Sequence, residues 1–135
     1  MSIDVSPTGD ELMGISRDHG LLCQQMFVLT STASPAGLKP ILEILPAHLE
    51  YWAQMEREQI MFAAGPKMPV DPTQPWSGDG MVIFRAPSID AAEKIAEADP
   101  MHKSPARSYT LSPWLLNHLI VVGPTSERQQ KDHNV

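Results

Sequence analysis

Two stretches of this chain, residues 38–59 and 88–98, carry the three- and four-residue apolar spacing of an amphipathic helix. Each is bracketed by runs of β-forming residues, and that alternation limits the folds open to the chain. In the first stretch Leu38, Ile41, Leu42, Leu45, Leu49 and Trp52 form the stripe. Pro40 suits a first turn, whereas Pro46 lacks an N–H and crowds the carbonyl four residues back, so a kink or restart is expected there. In the second stretch Ser88 is a good N-cap and Asp90 lies in the first turn. Ile89, Ala92, Ile95 and Ala96 make a narrow stripe, and Asp99-Pro100 ends it, since a residue before proline is pushed out of the α region.

Strand-like runs fill the gaps. Residues 23–31 are rich in β-formers and closed by the loop signal Ser34-Pro35-Ala36-Gly37. Residues 59–66 end at Gly65-Pro66, residues 80–86 follow, and residues 107–111 alternate polar and apolar before Ser112-Pro113-Trp114. Between the second and third runs, residues 67–79 hold Pro69, Pro72, Pro75 and Gly78. They predict a loop long enough to cover a pocket mouth, anchored by Trp76. Residues 115–122 are apolar again and suit an edge strand or an exchange with a partner subunit. The order β-α-β-β-α-β predicts an α+β, ferredoxin-like fold, an antiparallel sheet with both helices on one face. The other face still carries apolar side chains, and a second copy of the same sheet is the simplest cover, so a homodimer is expected. Residues 1–20 read as a polar extension, 21–123 as the domain and 124–135 as a polar tail.

Composition narrows the function. Of 135 residues 42% are hydrophobic and 19% charged, enough apolar material for one core. Ten basic against sixteen acidic side chains give a net charge of −6, with no two Lys or Arg adjacent, which argues against nucleic acid as a partner. The longest apolar runs, near 60–66 and 119–124, fall far short of the ~20 residues of a membrane span. The start, Met1-Ser2-Ile3-Asp4, lacks a basic segment followed by an apolar one, and a cytoplasmic location is the expectation. The single cysteine, Cys23, sits in an apolar run where core packing is the expected role.

His48 and Asp99 are the candidates for chemistry. On a helical wheel His48 lies beside Ile41, Trp52 and Met55, at the edge of the apolar stripe, where an imidazole can reach into a pocket or simply bond a backbone group. Asp99 follows the last turn of the second helix, where the dipole disfavours a carboxylate. Either a local turn compensates it, or an imidazole does: a carboxylate aimed at His48 would orient the ring and fix its tautomer, as acid–base work requires. His102, three residues beyond Asp99, is a second candidate imidazole, weighed against plain surface exposure. Trp52, Trp76, Trp114 and Tyr109 are candidate pocket aromatics, weighed against core packing. The five histidines show no metal-ligand spacing, and no phosphate loop, nucleophile elbow or dinucleotide fingerprint is present, so neither metal nor cofactor is expected.

Several pieces in order resemble the YCII-related (YciI-like) proteins over about residues 23–116. They are His48-Leu49, Ala64-Gly65-Pro66, Gly80, Ser88 to Ala92, Asp99-Pro100 and Pro113-Trp114. The resemblance implies a dimeric α+β barrel with a pocket between helices and sheet in each subunit. It also implies His48 and Asp99 as active-site residues; the substrate-contacting candidates, His102, Trp52, Trp114 and Gly65, are read from this chain itself. One dehalogenase of chlorinated muconolactones belongs to that family, and the neighbouring muconolactone isomerases share the fold but match these elements less well. The chain departs from the family in its N-terminal extension, in Pro46, in His102 where an aromatic or aliphatic residue is common, and in a longer C-terminus.

Three functions follow as expectations. The first is a cofactor-free enzyme on a small organic acid or lactone, using a His/Asp pair for isomerisation, elimination or dehalogenation. The second is a non-catalytic ligand-binding or protein-interaction dimer, and the third a cofactor-independent monooxygenase-like protein.

Overall fold

Strand β1 (Gln24–Ala33) shows how the two sheet faces differ: Phe27, Leu29 and Ser31 are buried on one, while on the other Met26 is buried near the strand's start and Val28 and Thr30 are half-buried. The computed structural model describes residues 5–120. After β1 come helix α2 (Leu38–Arg57), strands β2 (Met61–Pro66) and β3 (Gly80–Phe84), helix α3 (Ile89–Glu97), the single turn α4 (Pro100–Lys103) and β4 (Arg107–Leu116). The four strands form one antiparallel sheet in the order β2-β3-β1-β4, with the helices packed on one face. This is the ferredoxin-like arrangement expected from the alternation. Pairing of Phe27 with Phe84 and Ser31 with Gly80 fixes the register of β1 on β3.

The core fills the space between sheet and helices. Phe27, Leu29, Val82 and Phe84 from the sheet meet Trp52, Ala92 and Ala96 from α2 and α3. Trp52 and Phe84 stand 5.7 Å apart between ring centroids. Helix α2 differs from expectation in two ways. It runs unbroken through Pro46: both Pro46 and the residue whose carbonyl it frees, Leu42, lie on the exposed side, where an unpaired helix carbonyl costs least. Its buried stripe is also rotated: Leu42 and Leu49 are 55% and 57% exposed, while Ile41 and Trp52 are buried with His48 between them. His48 therefore sits in the middle of the packed face rather than at its edge.

The loop from Lys67 to Asp79 is anchored as its tryptophan suggests. Trp76 donates its indole N–H to the Asp79 carbonyl at 2.9 Å and packs against the second core cluster, Ile41, Met101 and Ala106. Gly78 has φ +93°, and a Cβ there would meet Ile41 Cδ1 at 2.8 Å, so both conformation and space require glycine.

Residues 5–24 and 116–120 form a second, smaller unit. The polar N-terminal stretch contains a helix the sequence did not disclose, α1 (Gly9–Asp18), with Thr8 as N-cap accepting from the Glu11 N–H at 3.1 Å. Asn117 accepts from the Cys23 N–H and donates to Ser16 Oγ. Cys23 is half-buried at φ 53° just before β1, its thiol donating to the Met13 carbonyl, so it is not a core residue. Of the apolar run 115–122 expected to make an edge strand, residues 115 and 116 end β4, 117–120 are not strand, and 121–122 lie outside the described residues, as does the polar tail. No described helix is long and apolar enough to cross a membrane.

Candidate active site

Asp99 is the centre of the site. Its side chain is only 1% exposed, and it links α3 to α4 as the N-cap of α4, its Oδ1 accepting the Met101 N–H at 2.9 Å. The sequence placed this carboxylate at the negative end of a helix. The structure adds the positive end of a second, so local turn and charge both favour it. Two side chains of α2 complete its shell. His48 Nδ1 lies 2.9 Å from both Oδ1 and Oδ2, and Trp52 Nε1 donates to Oδ2 at 2.8 Å. His48 and Trp52 are one helical turn apart, which aims both at the same carboxylate.

Burial pushes the Asp99 carboxyl upward, but the hydrogen bonds from His48 and Trp52, the His48 charge and the Met101 N–H together outweigh it and hold the group below its usual 3.8. Asp99 is thus a carboxylate at neutral pH and accepts only. His48 must then carry a proton on Nδ1, and in the neutral ring this leaves the lone pair on Nε2. His48 is 14% exposed, and Nε2 has no partner among the described residues. Since no buried side-chain nitrogen or oxygen there lacks a partner, Nε2 reaches open space. The arrangement presents a basic nitrogen, held in one tautomer, at the surface of a buried charge.

Contrary to the surface exposure that its loop position suggests, His102 is buried; its side chain is 2% exposed, because α4 turns it inward. Nδ1 donates to the Ala96 carbonyl at 2.7 Å and Nε2 lies 2.6 Å from Ser31 Oγ; burial favours the neutral ring, in which Nε2 accepts the Ser31 hydroxyl proton. Nδ1 also lies 4.0 Å from Asp99 Oδ2. Burial foremost pushes its pKa below 6.5; the Ala96 carbonyl and Asp99 oppose this, while the Arg107 and His48 charges add to it. Folded His102 thus refuses a proton that the unfolded chain accepts, so its contribution to stability is whole above 6.5 and is lost as pH falls toward the lower folded value. Asp99, depressed in the fold, adds a second loss as pH falls from 3.8 through its own folded value. Urea midpoints measured from about pH 3 to about pH 8 should show both declines in the native protein and only the second in His102→Gln. Identical profiles would contradict the assignment.

Tyr51, beside Trp52, is pushed up to about 12 by burial and then by the charges of Asp99 and Glu58. It keeps its proton and donates to the Ile95 carbonyl at 2.6 Å, tying α2 to α3. Trp114 and Gly65 are not gathered to the pair. Trp114 is exposed on β4. Gly65 pairs with Met81 in β2 and β3, and lines a shallow apolar depression of about 290 Å³ with Ala63, Pro66, Met81 and Ile83. Sequence reasoning passed over Ser31 and Arg107, although both stand in the inward phase of their strands, where a polar or charged residue is a signal. Among the described residues no group of three or more His, Cys, Asp or Glu is arranged to hold a metal ion.

A family model described as the YCII-related domain matches residues 26–115, two thirds of the chain. The chain belongs to the YCII-related family. A solved structure with the same fold is 5-chloro-2-hydroxyhydroquinone dehydrochlorinase (TftG) from Burkholderia phenoliruptrix AC1100, in complex with 2,5-dihydroxybenzoquinone. It is 20% identical, with a TM-score of 0.55 over 66% of this chain and 92% of that one. No curated protein matches the sequence. In this YCII-related chain the matched region spans the elements that carry His48 and Asp99, from β1 to β4.

Proposed function

We propose that this YCII-related protein is a cofactor-free enzyme acting on a small organic acid or lactone. His48 Nε2 accepts and returns a proton, and Asp99 orients the ring and stabilises the imidazolium that forms. The observation that carries this reading is a buried carboxylate spending both oxygens on His48 Nδ1 while Nε2 stays open. Chemistry of the isomerase, lyase or dehalogenase type fits one movable proton. In an elimination, Nε2 takes the proton from carbon, that C–H electron pair becomes the new double bond, and the leaving group departs with its own pair. The fold neighbour's name, a dehydrochlorinase, is of that type and makes chlorinated hydroxyhydroquinones the first substrates to screen, with lactones beside them. Activity found in the screen should vanish or nearly so in His48→Ala, and undiminished turnover in both His48→Ala and Asp99→Asn overturns the proposal.

The working unit in this reading is a homodimer. Support comes from the sheet face away from the helices, where Met81 is exposed, Val28 and Ile83 are half-buried, and the depression beside β2 is apolar. Sedimentation equilibrium should give twice the mass of one chain, and a monomer at micromolar concentration would rule this out.

A further inference from the structure

The residue that neither the proton-transfer pair nor the core accounts for is Arg107. It opens β4 in the inward phase and is only 6% exposed. A guanidinium so deeply buried normally faces a carboxylate, since an uncompensated buried charge costs several kcal/mol. Here none pairs with it: Asp79 and Asp99 act on it at longer range, but among the described residues neither comes within the 4.0 Å of an ion pair. The neighbouring His102 is neutral and adds no negative charge.

The group is nevertheless rigidly held. Its Nε donates to the Gly78 carbonyl at 2.8 Å, and its central carbon lies 5.7 Å from the Trp76 ring centroid, so one edge and one face are fixed. The end formed by Nη1 and Nη2 has no partner among the described residues, and both nitrogens therefore reach open space. That end is close to Gly80, where a Cβ would stand 3.7 and 3.8 Å from Nη1 and Nη2. The Gly65 carbonyl oxygen would stand 3.3 Å from the same Cβ, so the lack of a side chain at Gly80 is what keeps that end of the fork uncovered. Ser31, the register partner of Gly80, has its hydroxyl engaged with His102 Nε2 at 2.6 Å.

We propose that the Nη1/Nη2 end of Arg107, beside Gly80, binds the carboxylate of the substrate end-on, so that the substrate class is a small carboxylic acid. This rests on the small-molecule enzyme reading above and narrows it. A planar fork with its Nε already engaged offers two parallel N–H donors, the geometry a carboxylate matches. It also supplies the counter-charge that the fold leaves out.

The test is binding, which needs no turnover. Acetate and benzoate are titrated into the full-length protein at constant ionic strength while the amide signals of Gly80 and Arg107 and the Arg107 Nε–H are followed by NMR. Acetamide and benzamide serve as neutral controls. At least one carboxylate should give saturable shifts at these signals, neither amide should do so, and Arg107→Gln should weaken binding tenfold or more. His48→Gln should bind the carboxylate as the native protein does. If Arg107→Gln does not fold, Arg107→Lys keeps the charge but loses the fork, and the same tenfold criterion applies to it. No saturable shift with either carboxylate, or equal affinity in the Arg107 variant, overturns the subsite. Loss of turnover in His48→Ala together with undiminished carboxylate binding by the Arg107 variant would remove the subsite and leave the proton-transfer reading standing. The converse would remove that reading alone.

Discussion

Asp99→Ala should destabilise the protein by about 3–5 kcal/mol, the usual cost of removing one partner from a buried charged pair. Three donors would be stranded at once: His48 Nδ1, Trp52 Nε1 and the Met101 N–H. The Trp52 indole and the Met101 amide lie inside the packed layer, where a lost acceptor is not replaced by water. The cap of α4 would go too. Urea unfolding measures the change directly. A loss below about 1 kcal/mol, the range of a surface substitution, would mean that Asp99 does not organise this corner of the fold.

His48→Gln should leave the fold nearly intact and cut turnover by about 10²- to 10⁴-fold, the range over which a positioned acid–base group acts. Glutamine can still donate to Asp99, so the buried carboxylate keeps a partner. It has no basic nitrogen to offer in place of Nε2. The loss should fall on kcat with KM little changed, because the proton moves only in the transition state. A rise in KM with kcat unchanged would make His48 a binding residue instead.

Much of this was readable in the sequence. The strands announce themselves through β-branched and aromatic runs closed by Pro and Gly, and α3 through its Ser88 cap, because these signals are local. His48 and Asp99 were legible for a similar reason: one shares a helix face with Trp52, and the other is a carboxylate at a helix end that needs compensation. What local signals could not supply was the tilt of α2 on the sheet. Six apolar residues suggested a stripe through Leu42 and Leu49, yet the helix packs through Ile41, His48 and Trp52, since Asp99 draws the polar groups of α2 inward. The turn α4 was hidden because four residues carry no period, and its existence is what buries His102. Arg107 was read only as part of an alternating strand. Its phase placed it inside, but no sequence rule says that a buried arginine will be left without a carboxylate.

Proton transfer by this site depends on which nitrogen of His48 holds the proton. In long-range proton–nitrogen correlation spectra of ring-labelled protein near neutral pH, the neutral His48 ring should appear as the Nδ1–H tautomer with Nε2 bare. In Asp99→Asn the amide oxygen can take the Oδ1 position and keep the Met101 N–H while the N–H₂ takes the Oδ2 position and faces Nδ1, at the cost of the Trp52 bond, so the proton should move to Nε2. A native His48 carrying its proton on Nε2, or one unaffected by Asp99→Asn, would contradict the proton-transfer role.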